Sequence, residues 1–318
     1  MLNRHRKLRM EQMEARQMMA GDVAAFVSNG TLFLNEFAGQ AGLDNAVMIS
    51  QIVPGTIRVH GVSPSAGGSA SKINGATFKD FKVTGGLVVN FGGGNDSVTF
   101  TDIAPSSFKN VDLNLAAPPP VVSKGATSVK NAKSGITAAL PLNLPDKDRV
   151  TISGATISGW LTINTGADDD SVNVANTTVG HSVSGDLTNP FGVGGITINT
   201  GAGNDFIHLE NLASNHDVIF DAGTGEDRAE VINVAVLDNF MAELGDGSDI
   251  MSVDGLYTGF QTSADKTRIS GGNGIDSLTT TGQFPTWNRE ITGWEYINGF
   301  RVGLPEVFMP GGGVLERV

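Results

Sequence analysis

Apolar and polar residues alternate along much of the chain in short runs, and the runs come in pairs around glycine-rich pentads. Leu87 and Val89 precede Gly92-Gly93-Gly94-Asn95-Asp96, and Val98 and Phe100 follow it. Ile196, Ile198, Ile207 and Leu209 flank Gly201-Ala202-Gly203-Asn204-Asp205 in the same way. Val218, Phe220, Ala229 and Val231 flank Gly223-Thr224-Gly225-Glu226-Asp227, and Phe240, Ala242, Met251 and Val253 flank Gly245-Asp246-Gly247-Ser248-Asp249. Two further copies are Gly166-Ala167-Asp168-Asp169-Asp170 and Gly272-Asn273-Gly274-Ile275-Asp276. Period-two alternation marks a strand with one buried face. Each copy therefore predicts strand, tight turn, strand. The glycines permit positive φ, and the aspartate can cap the turn through its backbone amides. The first glycine and the closing aspartate occur in every copy, and the second glycine is replaced once, by Asp168.

Spacing turns these copies into an architecture. Asp205, Asp227 and Asp249 lie 22 residues apart, and Asp148 precedes Asp170 by the same interval with Val150 and Ile152 at the apolar positions. Asp148 has lost its glycines and is a degenerate copy; Asn45, followed by Val47 and Ile49, is another. A hairpin meander would show two-residue turns without such a period. The pattern predicts an all-β protein, a single-stranded parallel β-helix (β-solenoid) with about 22 residues per coil, the coils stacked at ~4.8 Å. The expected body is residues 21–285, opening with coils around Asn29-Gly30-Thr31-Leu32 and Pro54-Gly55-Thr56-Ile57-Arg58-Val59. Residues 103–149, with Pro118-Pro119-Pro120, read as an excursion between coils, because proline cannot donate to a strand ladder. Gly180–Gly195 reads as a second insertion. Residues 286–318 read as a C-terminal cap, with Trp287, Trp294, Tyr296 and Phe300 covering an open sheet end or, alternatively, forming a platform for sugar rings.

Composition narrows the classes. The chain has 318 residues, 42 glycines, no cysteine and a net charge of −12. An apolar fraction of 40% supports a narrow core and is too high for disorder. Absence of cysteine excludes disulfides and thiolate zinc sites. No apolar stretch approaches the ~18 residues of a transmembrane helix. The acidic balance argues against nucleic acid, whose phosphates need Lys and Arg. Residues 1–20 break the trend: Arg4, Arg6, Lys7, Arg9 and Arg16 against Glu11 and Glu14 give +3, which leaves −15 for the rest.

That basic stretch continues as Leu8-Arg9-Met10-Glu11-Gln12-Met13-Glu14-Ala15-Arg16-Gln17-Met18-Met19-Ala20. It resembles the N-terminal segment of large exported proteins of planctomycete bacteria, a basic cluster followed by Leu-Glu-x-Leu-Glu-x-Arg-x-Leu-Leu-Ala, with methionine here in place of leucine. The resemblance implies that residues 1–20 are an export or targeting segment and that the body behind them is extracellular or held at the cell surface.

The aspartates are the main candidate site. Stacked carboxylates ~4.8 Å apart repel by about 1 kcal/mol in water and about 3.5 kcal/mol at an effective dielectric near 20. Asparagine would make the same turn without that cost, yet aspartate recurs in all six copies. A hard cation between coils is one explanation, since Ca²⁺ takes 6–8 oxygen ligands and glycine turns expose carbonyls. The other is that each aspartate caps its own turn and stays solvated. The run Gly-x-Gly-x-Asp-x-apolar is similar to the nonapeptide of the RTX, or haemolysin-type, calcium-binding proteins, whose turns hold Ca²⁺ between coils of a β-roll. RTX turns recur every nine residues, whereas these recur once per longer coil. The resemblance implies metal ligands at Asp96, Asp168, Asp170, Asp205, Asp227, Asp246, Asp249 and Asp276, with Asp169 and Glu226 nearby.

Catalytic constellations are thin. His60, His181, His208 and His216 share no metal-ligand spacing, and His208 lies between two inward positions and should face solvent. Carboxylates that recur in every coil do not make the single local arrangement of a glycosidase. No basic cluster follows residue 20 to serve a lyase. The expected function is a non-catalytic structural or adhesive solenoid stabilised by Ca²⁺, in contact with envelope or matrix polysaccharide or protein. The alternatives are a β-helix carbohydrate-active enzyme (polysaccharide lyase or hydrolase) and a fragment of a longer repeat protein.

Overall fold

The computed structural model describes residues 21–37, 43–64, 69–101, 103, 108–116, 147–180, 195–259, 266–285 and 289–301. The expected export segment, His181, Trp287, the expected cap after residue 301 and most of both insertions lie outside these residues. The described residues are all-β, without a helix, and consist mainly of two long sheets of 11 and 14 strands. Such long parallel stacking is consistent with a β-helix or solenoid.

In the first sheet the strands Thr31–Glu36, Leu87–Asn90, Val111–Asn114, Leu161–Asn164, Ile196–Asn199, Val218–Asp221, Phe240–Glu243, Thr267–Ser270 and Arg289–Thr292 follow one another in parallel. In the second, Ala46–Val53, Ser97–Thr101, Arg149–Ser153, Ser171–Ala175, Phe206–Ser214, Arg228–Val236, Ile250–Thr258 and Ser277–Thr281 do the same. Each strand pairs with its counterpart from the neighbouring repeat, and one such layer is called a rung below. The glycine pentad carries the chain from the first sheet to the second. Parallel sheets with both neighbours in place bury alternate residues on one face, here Leu87, Val89, Val98, Phe100 and their equivalents in the interior rungs. These form one continuous core between the sheets.

Parts of the expected outline need correction. Asn29-Gly30 and Pro54-Gly55 are hairpin turns, not parts of parallel coils. Asp22–Ser28 pairs antiparallel with Thr31–Glu36, and Ala46–Val53 pairs antiparallel with Thr56–Gly61, which pairs in turn with Phe78–Lys82. Asn29 and Gly30 have φ of 49° and 80°, the two left-handed residues a tight hairpin needs. Asn298-Gly299, with φ of 52° and 77°, makes the corresponding hairpin between Tyr296–Ile297 and Phe300–Arg301 at the other end. Hairpins thus finish the stack where parallel partners run out. Residues 103–149 are not wholly an excursion, because Val111–Asn114 supplies a full strand to the first sheet. Parallel pairing also runs past residue 285 to Arg289–Thr292.

A second corner appears six residues after six of the aspartates. Gly154, Asn176, Asn211, Asn233, Gly255 and Gly282 occupy it, all with φ between 48° and 84°. Asparagine tolerates this left-handed region and glycine enters it without strain. The asparagines also bond along the stack: Asn233 Nδ2 donates to Asn211 Oδ1 at 2.7 Å and Asn211 Nδ2 to Asn176 Oδ1 at 3.3 Å.

Candidate functional site

The aspartates do stack, but they face inward. Asp96, Asp148, Asp170, Asp205, Asp227, Asp249 and Asp276 are each at most 2% exposed. Parity explains this: each shares its side of the strand with the apolar residues two and four positions later. Each accepts, through Oδ1, the backbone N–H of the ladder residue one rung earlier. The donors run Asn45 to Asp96 (2.7 Å), Asp96 to Asp148 (2.8 Å), Asp148 to Asp170 (2.8 Å) and Asp170 to Asp205 (2.7 Å). Asp205 to Asp227 (2.8 Å), Asp227 to Asp249 (2.8 Å) and Asp249 to Asp276 (2.9 Å) continue the row. The degenerate copies at Asn45 and Asp148 therefore occupy true ladder positions. The last acceptor is Glu295, whose Oε2 takes the Asp276 amide at 2.8 Å.

A second row runs beside the first in the opposite sense. At four ladder positions the preceding residue offers a side-chain oxygen to the following rung. Asp44 Oδ1 accepts from the Asn95 amide (2.9 Å) and Asn95 Oδ1 from Lys147 (3.0 Å). Asp169 Oδ1 accepts from Asn204 (2.9 Å), and Asn204 Oδ1 from Glu226 (2.7 Å). Consecutive amides at this corner are thus tied to the rung on either side. Glu295 and Asp44 were missed in the sequence because neither lies in a glycine pentad, although Trp294-Glu295-Tyr296-Ile297 keeps the ladder-then-apolar order.

The turns stack through backbone contact. Ala167, Ala202, Thr224, Asp246 and Asn273 bridge one another in parallel. Gly225 has φ of 141°, and a Cβ there would lie 1.7 Å from the Gly203 carbonyl oxygen. Only glycine allows this approach. Asp168 stands in the same row with φ of 72° and is exposed, as is Asp246. The eight expected ligands therefore separate into six buried ladder carboxylates and two outer turn residues. Asp246 still acts on the ladder, since its charge and that of Glu226 help raise Asp249.

The electrostatics are those of buried acids. Burial is the first cause of the raised pKa of Asp205, Asp227, Asp249 and Asp276, and the amide each accepts lowers it in part. Asp227 is pushed up to about 7 and Asp276 to about 6. The second oxygens, Oδ2, of Asp227, Asp249 and Asp276 are buried without a hydrogen-bond partner. An orphaned carboxylate oxygen is costly, which makes these atoms the places where a proton or a hard cation would be stabilised. Neighbouring turn carbonyls are already engaged: Gly201 O accepts the Thr224 amide and Gly223 O the Asp246 amide, both at 2.9 Å. Among the described residues no group of three or more His, Cys, Asp or Glu is arranged to hold a metal ion. The donors suit Ca²⁺ in kind, but the rest of its shell would have to come from shared carbonyls and water.

Other candidates fall out differently. His208 does project outward between buried Ile207 and Leu209, but it lies against Glu230 (3.0 Å) and Glu210 (3.5 Å), with its side chain only 15% exposed. His216 pairs with Asp238 at 2.7 Å. Trp294 is 4% exposed and donates Nε1–H to the Ile269 carbonyl, so it plugs the core and offers no platform for sugars. Among the described residues no helix is long and apolar enough to cross a membrane.

A family profile described as "Planctomycete extracellular" matches residues 4–23. This supports an exported protein of planctomycete type. No curated protein and no solved structure matches the chain.

Proposed function

We propose that the chain is a non-catalytic structural or adhesive component of the cell surface or extracellular matrix. Its body is a single parallel β-helix of about 22 residues per coil, the interval seen in the regular part of the ladder. Residues 1–20 are its export segment, and the hairpin end beyond residue 285 belongs to its cap. Ca²⁺ bound along the turn corner stabilises it, with Asp227, Asp249 and Asp276 as the first donors and Asp96, Asp168, Asp170, Asp205 and Asp246 completing the row. The RTX-like turns supply the analogy.

The observation that carries the calcium reading is the set of orphaned, buried Oδ2 atoms on consecutive rungs. Seven rungs keep a carboxylate at a place where an amide would accept the same hydrogen bond, as asparagine's Oδ1 can. Ligand binding to the folded state alone adds RT ln(1 + [L]/Kd), about 2.7 kcal/mol at a hundredfold excess. Purified protein dialysed against millimolar Ca²⁺ should retain the metal and melt higher than in chelator, with Mg²⁺ less effective because it resists dehydration. No retained metal and an unmoved melt would sink calcium and leave the solenoid.

The enzyme alternative draws on one feature, the His216–Asp238 pair beside a groove on the first sheet. A polysaccharide panel assayed for new reducing ends separates the two readings.

A further inference from the structure

The outer face of the first sheet carries a groove unconnected with the carboxylate ladder. It has a volume of about 440 Å³ and crosses three rungs, with Trp160, Thr162, Thr197, His216, Asp217 and Ile219 among its walls. Trp160, Gly195 and Asp217 occupy one row: Gly195 O accepts the Leu161 amide, and Asp217 O the Ile196 amide, both at 2.9 Å. Gly195 has no side chain and so adds none between Trp160 and Asp217. The two walls stand two rungs apart, ~10 Å at the usual strand spacing. Trp160 is 44% exposed, unlike the core-plugging Trp294 at 4%.

The chemistry along one strand is specific. Trp160, Thr162 and Asn164 share the outward side of Leu161–Asn164, so an aromatic face, a hydroxyl and a carboxamide follow at two-residue steps. Thr197 and Asn199 repeat the hydroxyl and carboxamide on the next rung. Asn164 Nδ2 already donates to Asn114 Oδ1 at 3.1 Å, which holds that amide in place. An indole presents an apolar face for the C–H side of a pyranose, while hydroxyls, amides and a carboxylate bond its equatorial hydroxyls. Among the described residues no lysine or arginine lines the groove, and Asp217, whose Oδ1 accepts from the amide and Nδ2 of Asn239 at 2.9 and 2.7 Å, adds a negative charge to the lining, so anionic sugars are disfavoured.

We propose that this groove binds a neutral polysaccharide, with one sugar ring on Trp160 and neighbouring units along Thr162, Thr197 and Asp217. The proposal deepens the surface-component reading and rests on it for contact with such polymers, but it does not depend on calcium. The test uses the full chain titrated with cellohexaose, mannohexaose, chitohexaose and a hexagalacturonate, read by intrinsic tryptophan fluorescence and calorimetry. At least one neutral hexasaccharide should saturate the protein, and the hexagalacturonate should bind at least tenfold more weakly. Trp160→Ala should lower affinity at least tenfold and Trp160→Phe about threefold, with both variants melting within a few degrees of the parent. Failure of all three neutral probes, equal binding by Trp160→Ala, or preference for the uronate overturns the proposal. Melts with and without Ca²⁺ on the same samples report the calcium reading separately. Cleavage of a bound saccharide would overturn the non-catalytic reading and leave recognition standing.

Discussion

Replacing Asp227 by asparagine probes the ladder most sharply, because Asp227 sits between Asp205 and Asp249 and bonds to both. Burial raises its carboxyl to about 7; the Asp205 amide opposes this, and the charges of Asp205, Asp249 and Asp221 add to it. A raised folded-state pKa means that between about pH 4 and 7 the native protein holds more protons than the unfolded chain, so stability falls as pH rises through that window. From the usual 3.8 to about 7, at ~1.4 kcal/mol per tenfold change in proton affinity, complete ionisation costs up to about 4 kcal/mol. Asparagine keeps the acceptor for the Asp205 amide and removes that cost. It introduces an Nδ2 that needs an acceptor, worth about 1–3 kcal/mol if none is found. Asn45 shows how one is found, donating Nδ2 to the Leu43 carbonyl at 3.1 Å. In chelator near neutral pH, Asp227→Asn should therefore be neutral to about 3 kcal/mol more stable, a rise of up to roughly 6 °C in Tm. Near pH 4 the gain should vanish. In millimolar Ca²⁺ the order should reverse, as the variant loses one donor of the proposed site. Calorimetric melts across pH, in chelator and in Ca²⁺, make the measurement. A parent protein whose chelated melt is flat or rises between pH 4 and 7, with a variant destabilised throughout, would refute the reasoning.

Gly225→Ala should destabilise by about 3 kcal/mol or more, combining left-handed strain with a Cβ set against the Gly203 carbonyl, whereas Gly154→Ala, with nothing within 4 Å, should cost only about 1–2 kcal/mol. Paired thermal melts decide this, and equal losses would mean that close stacking is not what keeps glycine in the pentad. Asn233→Gly should cost no more than about 1 kcal/mol, the exposed bond to Asn211, since Gly255 serves the same corner one rung on, while Asn233→Val should cost about 2 kcal/mol or more from a β-branched residue at φ of 52°. Denaturant midpoints would show it.

Much of the stack was legible in the chain because two signals repeat together, the inward apolar pairs and the closing aspartate. The interval of 22 placed Asp205, Asp227 and Asp249 on adjacent rungs and recovered Asp148 without its glycines, while the apolar pair Val47 and Ile49 recovered Asn45. The direction of the aspartates was also written there, since Asp205 has the same parity as Ile207 and Leu209, but acidic character argued for solvent and misled. Asparagine or glycine six residues on recurs after every ladder aspartate except Asp96 and went unused. Asn29-Gly30 and Asn298-Gly299 are strong hairpin signals that the solenoid period masked. The row before the ladder left little trace, because Asp44, Asn95, Asp169 and Asn204 share only a short side-chain acceptor and Lys147 and Glu226 enter through their amides. The Trp160 groove depends on residues from three rungs that no linear pattern groups.

The two counter-running rows of side-chain bonds have a consequence for how such a protein changes size. In the aspartate row each interior rung donates an amide to one neighbour and accepts one from the other through the same groups, so along that row its two faces are interchangeable with those of its neighbours. A duplicated block of 22 residues, the offset between bonded ladder positions, would meet ready partners on both sides and need no new chemistry. Loss of a whole block would leave the joined neighbours equally matched. A gain or loss of a few residues at the pentad corner would break both rows at once. Length in this body is therefore counted in whole rungs, while variation of other sizes is confined to the arcs away from that corner or to segments that leave the stack and return in phase.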